Sequence, residues 1–195
     1  MLRKSLFLSS AALALVANLV VAAESSRVRL MIPIQGTYSG DKFVNAGATV
    51  ESITPGGYNL QYVTSAGWGV GYSSTSIEQK EKYNDQEYKM NYDATYLELS
   101  YTFGAELTGQ IFYGHQLSSS DVDWETNGVK GSTSPLKTKS TSGSAIGLNG
   151  GYDFGGFEAL LGYRQESSTW QEDASSSKEM KLDRSLVNVG IGFTF

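Results

Sequence analysis

The chain has 195 residues, with 22 glycines, 12 tyrosines, three prolines, no cysteine and a net charge of −5. The lack of cysteine excludes a disulfide framework and thiolate metal sites, and an acidic chain without a basic patch excludes nucleic acid as a partner. Abundant glycine and tyrosine with scarce proline favour many strands joined by tight turns.

In chain order, Arg3 and Lys4 precede an apolar run from Leu6 to Ala17, and Val21-Ala22-Ala23 supplies small residues for cleavage before Glu24. The expectation is a secretory signal peptide over 1–23 and one domain over 24–195. Ser9, Ser10 and Asn18 shorten the run below the roughly 20 residues that a retained membrane helix needs. No later window of 18 uninterrupted apolar residues exists, so a bilayer-inserted form must be a closed barrel. Without the two positive charges of Arg3 and Lys4, the remaining chain carries −5 less 2, or −7.

Period-two alternation predicts eight strands, at 27–38, 56–64, 67–79, 92–103, 107–117, 143–154, 157–167 and 185–195. In the first, Val28, Leu30, Ile32 and Ile34 alternate with Arg29, Met31, Pro33 and Gln35. Pro33 cannot donate to a ladder, so a bulge or register shift is expected there. Tight turns fall at 65–66, 104–106 and 155–156, whereas 39–55, 80–91, 118–142 and 168–184 are long and polar. These long stretches suit either disorder or hairpins continued beyond a membrane. In the last strand Val187, Val189, Ile191, Phe193 and Phe195 alternate with small or polar residues.

With this parity, no Asp, Glu, Lys or Arg lies on the apolar face of any strand. Trp68, Phe103, Phe154, Phe157, Phe193 and Phe195 gather beside the short turns, with Tyr38, Tyr113 and Tyr163 toward the long loops. Two aromatic girdles and an even strand number predict an all-β, eight-stranded antiparallel transmembrane β-barrel, with short periplasmic turns and long extracellular loops. A soluble β-sandwich also alternates, but it would not sort its connections into strictly alternating short and long classes.

The chemistry available is sparse. Arg29, Glu98, Asp153, Glu158, Arg164 and Glu166 project inward. Eight strands leave an interior only wide enough for side chains to fill, so these charges must find partners. Glu98 is expected to approach Arg164, and Arg29 to meet Asp153 or Glu158. Such a network plugs the lumen or, in the competing reading, lines a narrow ion path. His115 is the only histidine and faces outward, so a Ser-His-acid site with Ser118 to Ser120 is not expected. Asp121, Asp123 and Glu125 share one side of an extended chain but lack the layout of a calcium loop. No catalytic residue, metal or cofactor is expected.

The terminal Gly190-Ile191-Gly192-Phe193-Thr194-Phe195, the signal peptide, the eight strands and the piece Gly56-Gly57-Tyr58-Asn59-Leu60 resemble small bacterial outer-membrane barrels. OmpX/Ail-type proteins and the OmpA transmembrane domain are similar in layout, and OmpW-type barrels are the runner-up. The first two imply a non-enzymatic surface protein acting in envelope integrity or adhesion. OmpW likeness implies a transporter for small hydrophobic molecules. The resemblance further implies that Glu98 and Arg164 mirror a luminal arginine–glutamate network, and that the terminal alternating strand is the signal read by the barrel-assembly machinery. The partners implied are outer-membrane lipid, lipopolysaccharide and a host or matrix surface, with the barrel a monomer and both termini periplasmic.

Overall fold

A computed structural model describes residues 25–42, 44, 46–120, 122–130, 140–171 and 179–195. The predicted signal peptide and Asp121 lie outside these residues. Ten strands are present: β1 (Arg27–Gly40), β2 (Thr49–Val63), β3 (Trp68–Tyr83), β4 (Gln86–Phe103), β5 (Leu107–Ser119), β6 (Asp123–Thr126), β7 (Val129–Lys130), β8 (Ser140–Asp153), β9 (Phe157–Gln171) and β10 (Glu179–Thr194). Eight of them form an antiparallel ring in the order β1–β2–β3–β4–β5–β8–β9–β10. The ring closes where β1 pairs with β10, from Arg27↔Thr194 upward. The fold is an eight-stranded antiparallel barrel, and the short β6–β7 hairpin continues the wall along β4, above the end of β5.

The lower turns are as short as the glycine spacing suggests. At one of them the Asp153 carboxylate accepts the N–H groups of Gly155 and Gly156 at 2.8 and 3.1 Å. Both glycines have φ near +100°, at +89° and +114°, where a side chain is strained.

Outward positions of the lower barrel are apolar on every strand. Leu30, Ile32, Leu60, Val70, Leu97, Leu99, Ile111, Ile146, Leu148, Leu161 and Ile191 are all exposed. Soluble monomers rarely expose contiguous apolar patches beyond a few hundred Å², so the belt belongs in hydrocarbon. Val187 to Phe195 covers about 27 Å of strand, or about 21 Å along an axis tilted by about 40°, close to the apolar band of a transmembrane barrel. Trp68, Phe154, Phe157 and Phe193 rim its lower edge, with Trp68 against Tyr101 and Phe157 against Phe193 at 5.2 and 6.0 Å between ring centres. Tyr58, Tyr72, Tyr113 and Tyr163 rim the upper edge.

Above the belt the strands continue, and they reverse their polarity. The segment 80–91, expected to be a long loop, is the tip of the β3–β4 hairpin, paired without a break to Tyr83↔Gln86. Its turn residues Asn84 and Asp85 have φ of 49° and 59°, the left-handed pair of a two-residue hairpin turn. The wall around it now turns apolar side chains inward. Ile77, Met90, Tyr92, Val122, Trp124, Trp170, Met180, Leu182 and Leu186 pack as one buried cluster, with Tyr38, Val44, Ile53 and Tyr88 at its margin. This crown is a small β-structure with its own core, standing on the membrane-embedded barrel. Parts of the predicted long stretches 39–55, 118–142 and 168–184 are likewise strand.

Among the described residues the ladders shift register at four places, and the shift in β1 follows from its proline. Pro33 gives no N–H, and β1 bulges between Pro33 and Gln35, so that two residues oppose Val187 on β10. A one-residue insertion swaps the faces that follow. Tyr38, expected in the outer girdle, therefore points inward, half-buried against the crown core. On the other side, the β1–β2 ladder holds only five pairs, from Arg27↔Val63 to Met31↔Asn59. Gly57 in β2 has φ +102°, and a Cβ there would stand 1.9 Å from the Ser74 carbonyl oxygen. Only glycine fits so close to the β3 backbone with this φ.

Candidate functional site: a plugged lumen under a folded crown

Inward positions of the lower barrel are mostly polar or glycine, beside a small apolar cluster of Ala94, Tyr96, Phe112 and Ala145, and the polar groups tie to one another in storeys. At the base, the buried Glu158 is clamped by two arginines from β1. Arg29 donates from Nε and Nη2 to its two carboxylate oxygens at 2.7 and 2.6 Å, and Arg27 from Nη1 at 2.9 Å. Thr108 donates to the same carboxylate at 2.5 Å, and Thr102 accepts from Arg29 at 3.0 Å. Asp153 stands at the rim, 4.0 Å from Arg27. A layer of neutral groups follows: Gln110 donates to Thr102 and Ser100, and Asn149 donates to Gln110 at 2.6 Å.

The middle storey centres on Arg164. It pairs through Nη1 with Glu98, through Nε with Glu166 at 2.6 Å, and through Nη2 with Ser73 at 3.0 Å. Glu98 also accepts from Asn59, Gln61 and Ser73 at 2.5, 3.0 and 2.7 Å. The guanidinium lies over the rings of Tyr96 and Phe112, 4.9 and 5.5 Å from their centres. Above it, Arg184 completes the stack at 2.8 Å from Glu166 and 5.0 Å over the Tyr92 ring. Removing water from such ions costs several kcal/mol each, and paired geometry with satisfied lone pairs is what offsets that cost.

Of the candidates, the geometry joins Arg164 to Glu98 and Arg29 to Glu158, and leaves Asp153 beside Arg27 instead of Arg29. Three further groups belong to this interior. Arg27 shares the parity of Arg29 and takes part in the same clamp. Arg184 sits in the segment read as loop and is fully buried. Glu81, also buried, accepts from Gln79 at 2.7 Å and from the Val44 N–H at 3.0 Å inside the crown.

The crown titrates differently from a loop. Burial, with Tyr92, Glu81 and Asp41 nearby, pushes the Tyr38 hydroxyl well above its ordinary value. Burial likewise raises Tyr92. On the outer face, cross-strand neighbours Glu78 and Lys89 pair at 2.8 Å, and that hydrogen bond holds the ammonium above the usual lysine range. Asp123 and Glu125 line the outside of β6 while Trp124 turns in. Among the described residues, no group of three acidic, histidine or cysteine side chains is placed to hold a metal ion. His115 lies outward on β5, opposite Leu97 and Ser144.

No protein-family model matches the chain, and no curated protein matches it. Among solved structures, the chain is similar to Ail, the attachment invasion locus protein of Yersinia pestis, crystallised with the heparin analogue sucrose octasulfate. That match has 14% identity, covers 87% of this chain and 99% of the other, and has a TM-score of 0.40. A second is Neisserial surface protein A, at 10% identity over 87% of this chain and 97% of that one, with a TM-score of 0.41. Ail in a phospholipid bilayer nanodisc gives 12% identity and a TM-score of 0.30, over 88% of this chain and 99% of that one.

Proposed function

We propose that this chain is a non-enzymatic bacterial outer-membrane barrel whose crown is a rigid contact surface, serving adhesion or envelope integrity. One observation carries the reading: paired side chains cross the interior from base to top and leave no open pore among the described residues, while the wall rises above the apolar belt as a folded β-structure with a core of its own. A filled lumen suits a scaffold, and a pre-ordered crown loses little conformational entropy on binding. In this reading residues 1–23 are a cleaved signal, 24–195 are the barrel, and the short turns with both chain termini face the periplasm. Val187, Val189, Ile191, Phe193 and Phe195 are then the strand presented to the assembly machinery. Lipid and lipopolysaccharide surround a monomer, and a host or matrix surface meets the crown.

The test is to replace residues 78–91 by Asn-Gly, which keeps the Ile77↔Tyr92 pair as the last rung of the hairpin. The shortened protein should insert and resist denaturation while cells carrying it lose attachment to matrix-coated surfaces or resistance to envelope stress. Unchanged attachment and envelope resistance would reject the crown as the working part. The competing channel reading predicts discrete steps in planar-bilayer recordings that Glu98→Ala alters. The filled lumen predicts flat traces for both proteins.

A further inference from the structure

The seam between β1 and β2 carries more than a packing irregularity. Below it the ladder is intact to Met31↔Asn59. Above it side chains of β2 close in on β1 again, for a Cβ at Gly36 would stand 3.0 Å from the Ile53 Cγ2 methyl and 3.5 Å from the Pro55 ring. Between these closures, at Pro33 and Tyr58, the ladder is interrupted in the upper half of the apolar belt. Behind this window lies a cavity of about 20 Å³ lined by Pro33, Tyr58, Asn59, Asn149, Asn188 and Arg164, among others.

The cavity asks for a hydrogen-bond donor. Asn149 is 5% exposed, and its Oδ1 has no partner, nor does the buried Oδ1 of Asn59. A buried acceptor without a partner costs about 1–3 kcal/mol, so such positions are normally occupied. The Arg164 nitrogens are already taken by Glu98, Glu166 and Ser73, so no anion is required. The available volume exceeds the roughly 10–15 Å³ that one small polar group or water needs. Outside the window, Ile32, Ile34, Tyr58 and Leu60 form an exposed apolar track.

We propose that this seam is a side port that binds a neutral single-chain amphiphile, its hydroxyl or amide end donating a hydrogen bond to the Oδ1 of Asn149 or Asn59 and its hydrocarbon lying along Ile32, Ile34, Tyr58 and Leu60. The site depends on the barrel standing in a bilayer and is independent of what the crown contacts. The test uses the full barrel in phospholipid vesicles and a long-chain alkanol carrying a diazirine in its chain, with crosslinks mapped by peptide mass spectrometry. Labelling should concentrate on 32–34 and 58–60. The methyl ether of the same probe, which cannot donate, should label about five-fold less, the effect of one neutral hydrogen bond. Asn149→Leu, close in volume, should reduce alkanol labelling similarly, and Asn59→Leu at the rim serves if the first variant does not fold. Even labelling around the belt, equal labelling by the ether, or indifference to both substitutions would overturn the port and leave the cavity to water. Replacing the crown tip 78–91 should leave the labelling unchanged, which separates this outcome from failure of the surface role.

Discussion

At the residue scale, the clamp on Glu158 shows how the interior holds together. Glu158→Leu strands two buried guanidinium groups and should cost about 3–5 kcal/mol in urea unfolding from lipid vesicles. The triple variant Arg27→Met, Arg29→Met, Glu158→Leu removes charge with charge, and should lose less than Glu158→Leu alone. If the single variant were the milder one, the base would not be an ion-paired unit. Tyr38 gives a pH signature. Its hydroxyl, raised by burial, stays protonated when the unfolded chain ionises near its ordinary value of 10.0. The stability it adds is present below that pH and is lost as pH rises beyond it. Tyr38→Phe should therefore flatten the alkaline loss of crown stability, seen by near-ultraviolet dichroism between about pH 10 and 12. Parity alone placed Arg29, Glu98, Glu158 and Arg164 on the inner face, because a period-two pattern cannot hide a charge. It could not orient Tyr38, since Pro33 signals a defect in the ladder without saying which side absorbs the extra residue.

At the scale of elements, the polarity inversion explains what sequence patterning missed. Within the belt, apolar side chains point out. In the crown, Ile77, Met90, Tyr92, Trp170, Met180 and Leu182 point in, while Glu78, Lys80, Lys89, Asp183 and Lys181 point out. Strands followed with one fixed rule, apolar outward, therefore stop where the solvent changes from hydrocarbon to water, near 79, 92, 167 and 185. The alternation itself never stops. Arg184 was lost to the interior for that reason. The Asn84-Asp85 turn tests the hairpin directly. Asp85→Gly suits φ of 59° and should keep or slightly raise tip stability, whereas Asp85→Val should cost about 1–2 kcal/mol. Amide hydrogen exchange at 80–89 is the readout, and equal protection in both variants would show that the tip is not a left-handed turn.

At the scale of the whole molecule, three environments stack along one axis: a salt-bridged polar interior, an apolar outer wall around it, and a crown whose core is sealed from both lipid and water. The three tryptophans sample two of these regions, for Trp68 is 65% exposed on the belt while Trp124 and Trp170 are 9% and 1% exposed within the crown. Single-tryptophan variants in vesicles containing brominated phospholipids test the arrangement most directly. Trp68 fluorescence should be strongly quenched by bromine, and that of Trp124 and Trp170 should be untouched. Quenching of either crown tryptophan, or an unquenched Trp68, would contradict it.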